Sequence, residues 1–107
     1  MIPLLREQVA EEIMGLAIVA DNDPRRGQPP FVCRDDLKSY DADDTDADVV
    51  RVKMEQNGFT FAETDREVCF RKGSISACSD DQPRPKAICI AALRAARKEK
   101  DHGVGTR

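Results

Sequence analysis

The sequence predicts an α+β fold, a small antiparallel sheet of three to four strands packed with helices. Three observations carry this. The chain opens with a helical apolar period, apolar and polar residues alternate from Phe59 to Cys78, and every residue from Ala87 to Leu93 is apolar. The length of 107 residues suits one domain. We place it at 1–99, with a disordered tail expected at 100–107.

Pro3 is expected in the first turn of a helix whose apolar stripe is Leu5, Val9, Ile13 and Leu16, with Glu7, Glu11 and Glu12 on the wetter side. Gly15 either ends this helix in a left-handed cap, leaving Leu16 to Ala20 extended, or is tolerated inside it. Asp21 to Pro30 reads as a loop, because its prolines and glycine punctuate it throughout. Phe31-Val32-Cys33 then reads as a short edge strand.

A second helix is expected from a cap at Asp44 or Thr45, with Ala47, Val50 and Met54 inward and Gly58 at its end. Strand alternation follows. Phe59 and Phe61, then Val68 and Phe70, then Ile75 and Ala77 share one face, with turns at Glu63 to Arg66 and Lys72-Gly73. Ala62, Cys69 and Cys78 fall on the other face, small and partly apolar, which leaves room for a second helical layer. Pro83 and Pro85 bracket the start of the last helix, whose apolar opening marks it as the most buried element. Arg94, Arg97 and Lys98 are expected near its C-terminus, where cations complement the dipole. The expected order is α-β-α-β-β-β-α.

Composition bounds function. The chain is 40% hydrophobic and 35% charged, with a net charge of −3. Residues 1–53 carry 7 basic and 12 acidic side chains and residues 54–107 carry 10 and 8, a balance that disfavours direct nucleic-acid binding. No run approaches 18 apolar residues, and Met1 to Glu7 lack the flank of a secretory signal, so neither membrane insertion nor export is expected. Cys33, Cys69, Cys78 and Cys89 form no Cys-x-x-Cys pair. They read as reduced structural thiols of a cytoplasmic protein, in preference to a disulfide or a metal site. The histidine, His102, falls in the expected tail, so no triad and no catalytic residue is assigned.

Seven aspartates stand out between residues 35 and 48: Asp35, Asp36, Asp41, Asp43, Asp44, Asp46 and Asp48. Asp44, Asp46, Asp48 and Glu55 match four positions of a calcium loop, but Val49 stands where the sharp turn needs Gly. No metal or other cofactor is therefore expected. The aspartates read either as a solvated loop or as a surface that steers and binds a basic partner.

Several motifs carry a resemblance that covers about residues 7 to 97. They are Met14-Gly15 after the first helix, Gly58-Phe59-Thr60-Phe61 after the second, and Pro85 ahead of Ala87-Ile88-Cys89-Ile90-Ala91-Ala92-Leu93. With these the chain resembles a family of small tailed-phage and prophage proteins described by an alpha-beta-alpha sandwich. Leu16 stands where such proteins often place Trp, and the Asp21 to Asp48 stretch is longer and more acidic. The resemblance implies a phage or prophage accessory protein in the bacterial cytoplasm, with no settled enzymatic activity. The expected function is protein binding, in its most concrete form anti-CRISPR-like inhibition of a host defence complex through the acidic segment. The rival expectations are a small metal-dependent enzyme or regulator, and a structural homo-oligomer, such as a homodimer, paired through the Phe31 to Cys33 edge.

Overall fold

The computed structural model describes residues 4–105, with side chains described for 4–101. Pro3 and the His102 side chain lie outside the described residues. The fold is α+β, with three helices, a two-stranded sheet and a three-stranded sheet.

Helix α1 spans Leu5–Glu12 and buries Val9 and Ala10, with Ile13 just beyond its end. Gly15 has φ 73°, a left-handed conformation that a Cβ would penalise, and it turns the chain out of the helix. That settles the open alternative. Leu16 N donates to Ala10 O at 2.9 Å, and strand β1 follows at Ala17–Val19. Glu7 departs from the expected wet side. It is 4% exposed, accepts a hydrogen bond from Leu4 N at 3.2 Å, and pairs with Arg34.

The loop after β1 consists of turns, as expected, and leads to strand β2 at Phe31–Cys33. β1 and β2 pair in parallel, Ala17 opposite Phe31 and Val19 opposite Cys33. Parallel neighbours need a crossover, and the turns between them supply one without a helix.

Helix α2 spans Asp44–Gln56. Its N-cap is Asp43, one residue earlier than expected, whose Oδ1 accepts from Asp46 N at 3.0 Å. Ala47, Val50 and Met54 are buried, whereas Val49 and Val52 lie on the outer side at 37% and 42% exposure. The chain leaves the helix through Gly58, at φ 97°.

Strands β3 (Thr60–Glu63), β4 (Val68–Lys72) and β5 (Ile75–Ser79) form an antiparallel meander in that order. Phe61 lies opposite Phe70, and Phe70 opposite Ala77, so one face carries the apolar residues. Gly73, at φ 60°, takes the left-handed position in the two-residue turn between β4 and β5. Thr64 Oγ1 accepts from Arg66 N and Glu67 N and closes the wider turn between β3 and β4.

Helix α3, Arg84–Gly105, packs on the apolar face of the meander and touches both α1 and α2. Ile88, Cys89, Ala91, Ala92 and Ala95 have no exposure, and the small alanines allow close approach to Phe70 and Met54 in the core. The opposite face of the meander presents Thr60, Ala62, Arg71 and Ser76 to solvent. The anticipated second layer does not cover it. Instead α1 and α2 stack on α3, because the wide apolar circumference of α3 can bury against both the sheet and two helices.

The expected tail is helical as far as Gly105, so Arg94, Arg97 and Lys98 lie inside α3 rather than at its end. Their work differs accordingly. Arg94 donates to Cys78 O at 2.9 Å and Lys98 to Ser76 O at 2.7 Å, which caps outward carbonyls of edge strand β5. Arg97 reaches α1, donating to Glu12 at 2.7 and 2.8 Å and to Gln8 at 2.8 Å.

Candidate functional site

The seven aspartates are not equivalent, because several are engaged within the fold. Asp35 and Asp36 sit in a single turn of 3-10 helix, Arg34–Asp36, after β2. Asp36 pairs with Arg26 at 3.1 Å and accepts from the Cys33 thiol at 3.2 Å. Asp41 pairs with Arg6 of α1 at 3.0 Å. Asp43 caps α2, and Asp46 Oδ2 accepts from Ser39 N at 3.0 Å. These four serve the fold. Asp35 is exposed and makes no ion pair among the described residues.

Asp44 and Asp48 have another role. Arg84, at the start of α3, reaches Asp44 Oδ1 at 3.1 Å, Asp48 Oδ1 at 3.7 Å and Glu63 Oε2 at 2.6 Å. The hydrogen bond that Arg84 donates to Glu63 leads the causes that raise its already high pKa, so the guanidinium stays charged. It gathers the α2 N-terminus, the end of β3 and the start of α3 at one corner of the molecule.

A groove of about 430 Å³ opens at this corner. The β3–β4 turn, with Glu63, Asp65, Arg66 and Glu67, forms one wall, and Asp81, Gln82 and Arg84 form the other. Asp81 Oδ2 is held by the Ser79 hydroxyl at 2.5 Å. The carboxylates of Asp65 and Glu67 make no ion pair or hydrogen bond among the described residues. Four acids therefore line the groove with Arg66 and Arg84, Asp44 and Asp48 join it through Arg84, and Asp65 and Glu67 are free to meet a ligand. Sequence reading found Asp44 and Asp48 but missed the other four. They come from separate segments, and only the chain reversals bring them together.

The cysteines divide into two kinds. Cys69 and Cys78 sit directly opposite each other on β4 and β5, with Cα atoms 4.1 Å apart, and form a disulfide. The expectation that all four are free thiols is thus corrected. A spacing of nine residues looked unremarkable in sequence, but a hairpin closed by a two-residue turn makes these positions cross-strand neighbours. Cys33 and Cys89 are free and buried. Cys89 donates to Tyr40 O at 3.0 Å, and burial, followed by the charge of Asp41, pushes its thiol up to about 12. A thiol so hard to ionise is a poor nucleophile.

Glu67 precedes Cys69 by two residues. One Glu67 oxygen and the sulfurs of Cys69 and Cys78 all lie within 4.8 Å of one another. Comparison with protein-family models, curated proteins and solved structures found no match. Among the described residues no helix is long and apolar enough to cross a membrane.

A second groove, of about 320 Å³, is apolar and runs along α2 past Met14, Val49 and Val52. Thr45, Asp48, Lys53 and Gln56 border this apolar strip, and Asp48 links it to the acidic corner through Arg84.

Proposed function

We propose that this protein is a small non-enzymatic binding module whose acidic corner receives a basic segment of a partner protein. The observation that carries this reading is the convergence of Glu63, Asp65, Glu67 and Asp81 on one groove, with Asp65 and Glu67 unpaired. An open carboxylate-lined groove attracts lysine and arginine side chains at long range and holds them by charge-assisted hydrogen bonds. In contrast, the binding surface drawn from the aspartate run alone is weakened, because Asp36, Asp41, Asp43 and Asp46 already hold the fold. The proposed surface keeps Asp44 and Asp48 from that run and moves its centre to the groove.

A phage or prophage origin, a bacterial cytoplasmic setting and inhibition of a host defence complex rest on the sequence motifs, and are proposed with the binding reading as its most concrete form. Stoichiometric capture fits a chain of this size, since a protein that blocks a larger one needs a surface and no catalytic centre.

Affinity capture from bacterial lysate tests the reading. The wild-type protein should retain a basic partner at low salt and release it as salt rises. The double variant Asp65→Asn with Glu67→Gln should weaken capture by roughly tenfold. Capture unaffected by both substitutions, or no salt-sensitive partner at all, would contradict the proposal.

A further inference from the structure

We propose that Glu67, Cys69 and Cys78 form a redox-gated binding site for a soft divalent cation of the zinc class, closed as the disulfide and opened by reduction. The site lies on the side of the meander opposite α3, where Glu67 is exposed, Cys78 half-buried and Cys69 buried. Cys69 and Cys78 stand in direct cross-strand register there, and strand alternation puts Glu67 on the same face two residues before Cys69. The three donor atoms lie within 4.8 Å of one another, the spread a metal ion can gather.

The protein fixes these donors from both sides. The backbone of Glu67 is tied into the β3–β4 turn, with its N–H on Thr64 Oγ1 at 3.1 Å and its carbonyl accepting from Thr64 N at 2.8 Å. Its carboxylate has no partner among the described residues, whereas its neighbours Glu63 and Asp81 are engaged by Arg84 and Ser79. Cys69 and Cys78 are carried by paired strands, so their backbones stay adjacent when the bond between them opens.

The chemistry balances. A dithiol reductant delivers two electrons and two protons, the Cys69–Cys78 bond breaks, two thiols form, and the reductant becomes a disulfide. Binding of the cation then displaces one proton from each thiol, while the already ionised Glu67 supplies a third ligand. At zinc–sulfur distances near 2.3 Å the two sulfurs need to separate to about 3.8 Å, which side-chain rotation on adjacent strands can provide. Two thiolates with one carboxylate favour a zinc-class ion over magnesium or calcium. Three protein ligands leave the fourth position to water. Arg71, two residues beyond Cys69 on the same exposed face, offsets the excess negative charge.

Disulfides are seldom kept in a cytosol, so the proposed cytoplasmic setting would hold this pair reduced and competent. The inference shares Glu67 with the partner-binding reading, but its test uses the isolated protein and a metal ion, so failure of one is read separately from failure of the other.

Zinc titration against a chromogenic chelator, on the full chain with the pair oxidised or reduced by a phosphine, provides the test. The reduced protein should take up one zinc and the oxidised protein none. Cys69→Ser should abolish uptake, Glu67→Gln should weaken it by roughly tenfold, and Cys33→Ser should leave it unchanged. Cobalt substitution should give sulfur-to-metal charge-transfer absorption in the reduced wild type and not in Cys69→Ser. Equal uptake by the oxidised form, no uptake on reduction, or loss of uptake in folded Cys33→Ser would overturn the proposal. Circular dichroism follows the fold throughout, and a reduced protein that unfolds and is not refolded by zinc would overturn it as well.

Discussion

The segment from Ala17 to Asp43 and the unit made of β3, β4, β5 and α3 are built by different physics. In the first, two three-residue strands are tied down by polar links: Asp23 with Arg25, Arg26 with Asp36, Arg34 with Glu7, and Arg6 with Asp41. Arg25 also lies 4.4 Å from the centre of the Phe31 ring. Of the hydrophobic side chains in this segment, Cys33 and Tyr40 are the buried ones. In the second, Phe70, Ile88, Cys89, Ala91, Ala92 and Ala95 have no exposure. A fully buried large side chain contributes about 1.5–3 kcal/mol, an exposed ion pair about 0–1 kcal/mol. Stability therefore resides in the meander with α3, and the N-terminal segment is held on its flank by charges.

Truncating one apolar residue in each unit should break the symmetry most. Phe70→Ala should lose about 3–5 kcal/mol, because it empties the centre of the core. Val32→Ala, in half-buried β2, should lose no more than about 1 kcal/mol. Urea denaturation of both variants measures the difference, and equal losses would refute the contrast.

Removing the covalent tie within the stronger unit comes next. Replacing Cys69 and Cys78 together by Ala should cost about 2–3 kcal/mol, the loop-closure entropy of a short ring. The same measurement reads it.

The smallest effect lies where α1 meets α3. The hydrogen bond from Arg97, aided by the charges of Arg97 and Lys100 and opposed by burial, lowers the pKa of Glu12. A carboxylate lowered in this way contributes stability that is present above its unfolded value of 4.5 and is lost as pH falls through the folded value. Both partners are more than a third exposed, so Arg97→Ala should cost only a few tenths of a kcal/mol at neutral pH. The difference from wild type should shrink as pH drops below 4.5. Thermal melts across that range at low salt would show it, and a pH-independent difference would remove the pair from the account.

Much of the architecture was legible in the residues. Alternation from Phe59 to Ala77 announced the meander and its apolar face, and the run from Ala87 to Leu93 announced a buried helix, because period and hydrophobicity are local signals. The parallel pairing of β1 with β2 was not legible, since nothing within either three-residue strand names its partner. Glu7 was misplaced for a related reason. A glutamate at that spacing is normally wet, and its burial depends on Arg34 arriving from a different segment. The acidic corner followed the same rule: Asp44 and Asp48, which reach the groove through Arg84, were visible within a charge run, whereas Asp65, Glu67 and Asp81, which line it, were scattered single acids.

By itself the sequence determined the α+β class, the meander, the burial of the last helix and the inward stripe of α2, all of which follow from side-chain periodicity along one segment. Tertiary structure alone decided which aspartates were consumed by internal cations, which carboxylates gathered around Arg84, and that Cys69 would face Cys78 beside Glu67. The physical reason is that charge pairing and cross-strand register depend on distances between segments far apart in the chain, and those distances are set only when the chain has packed.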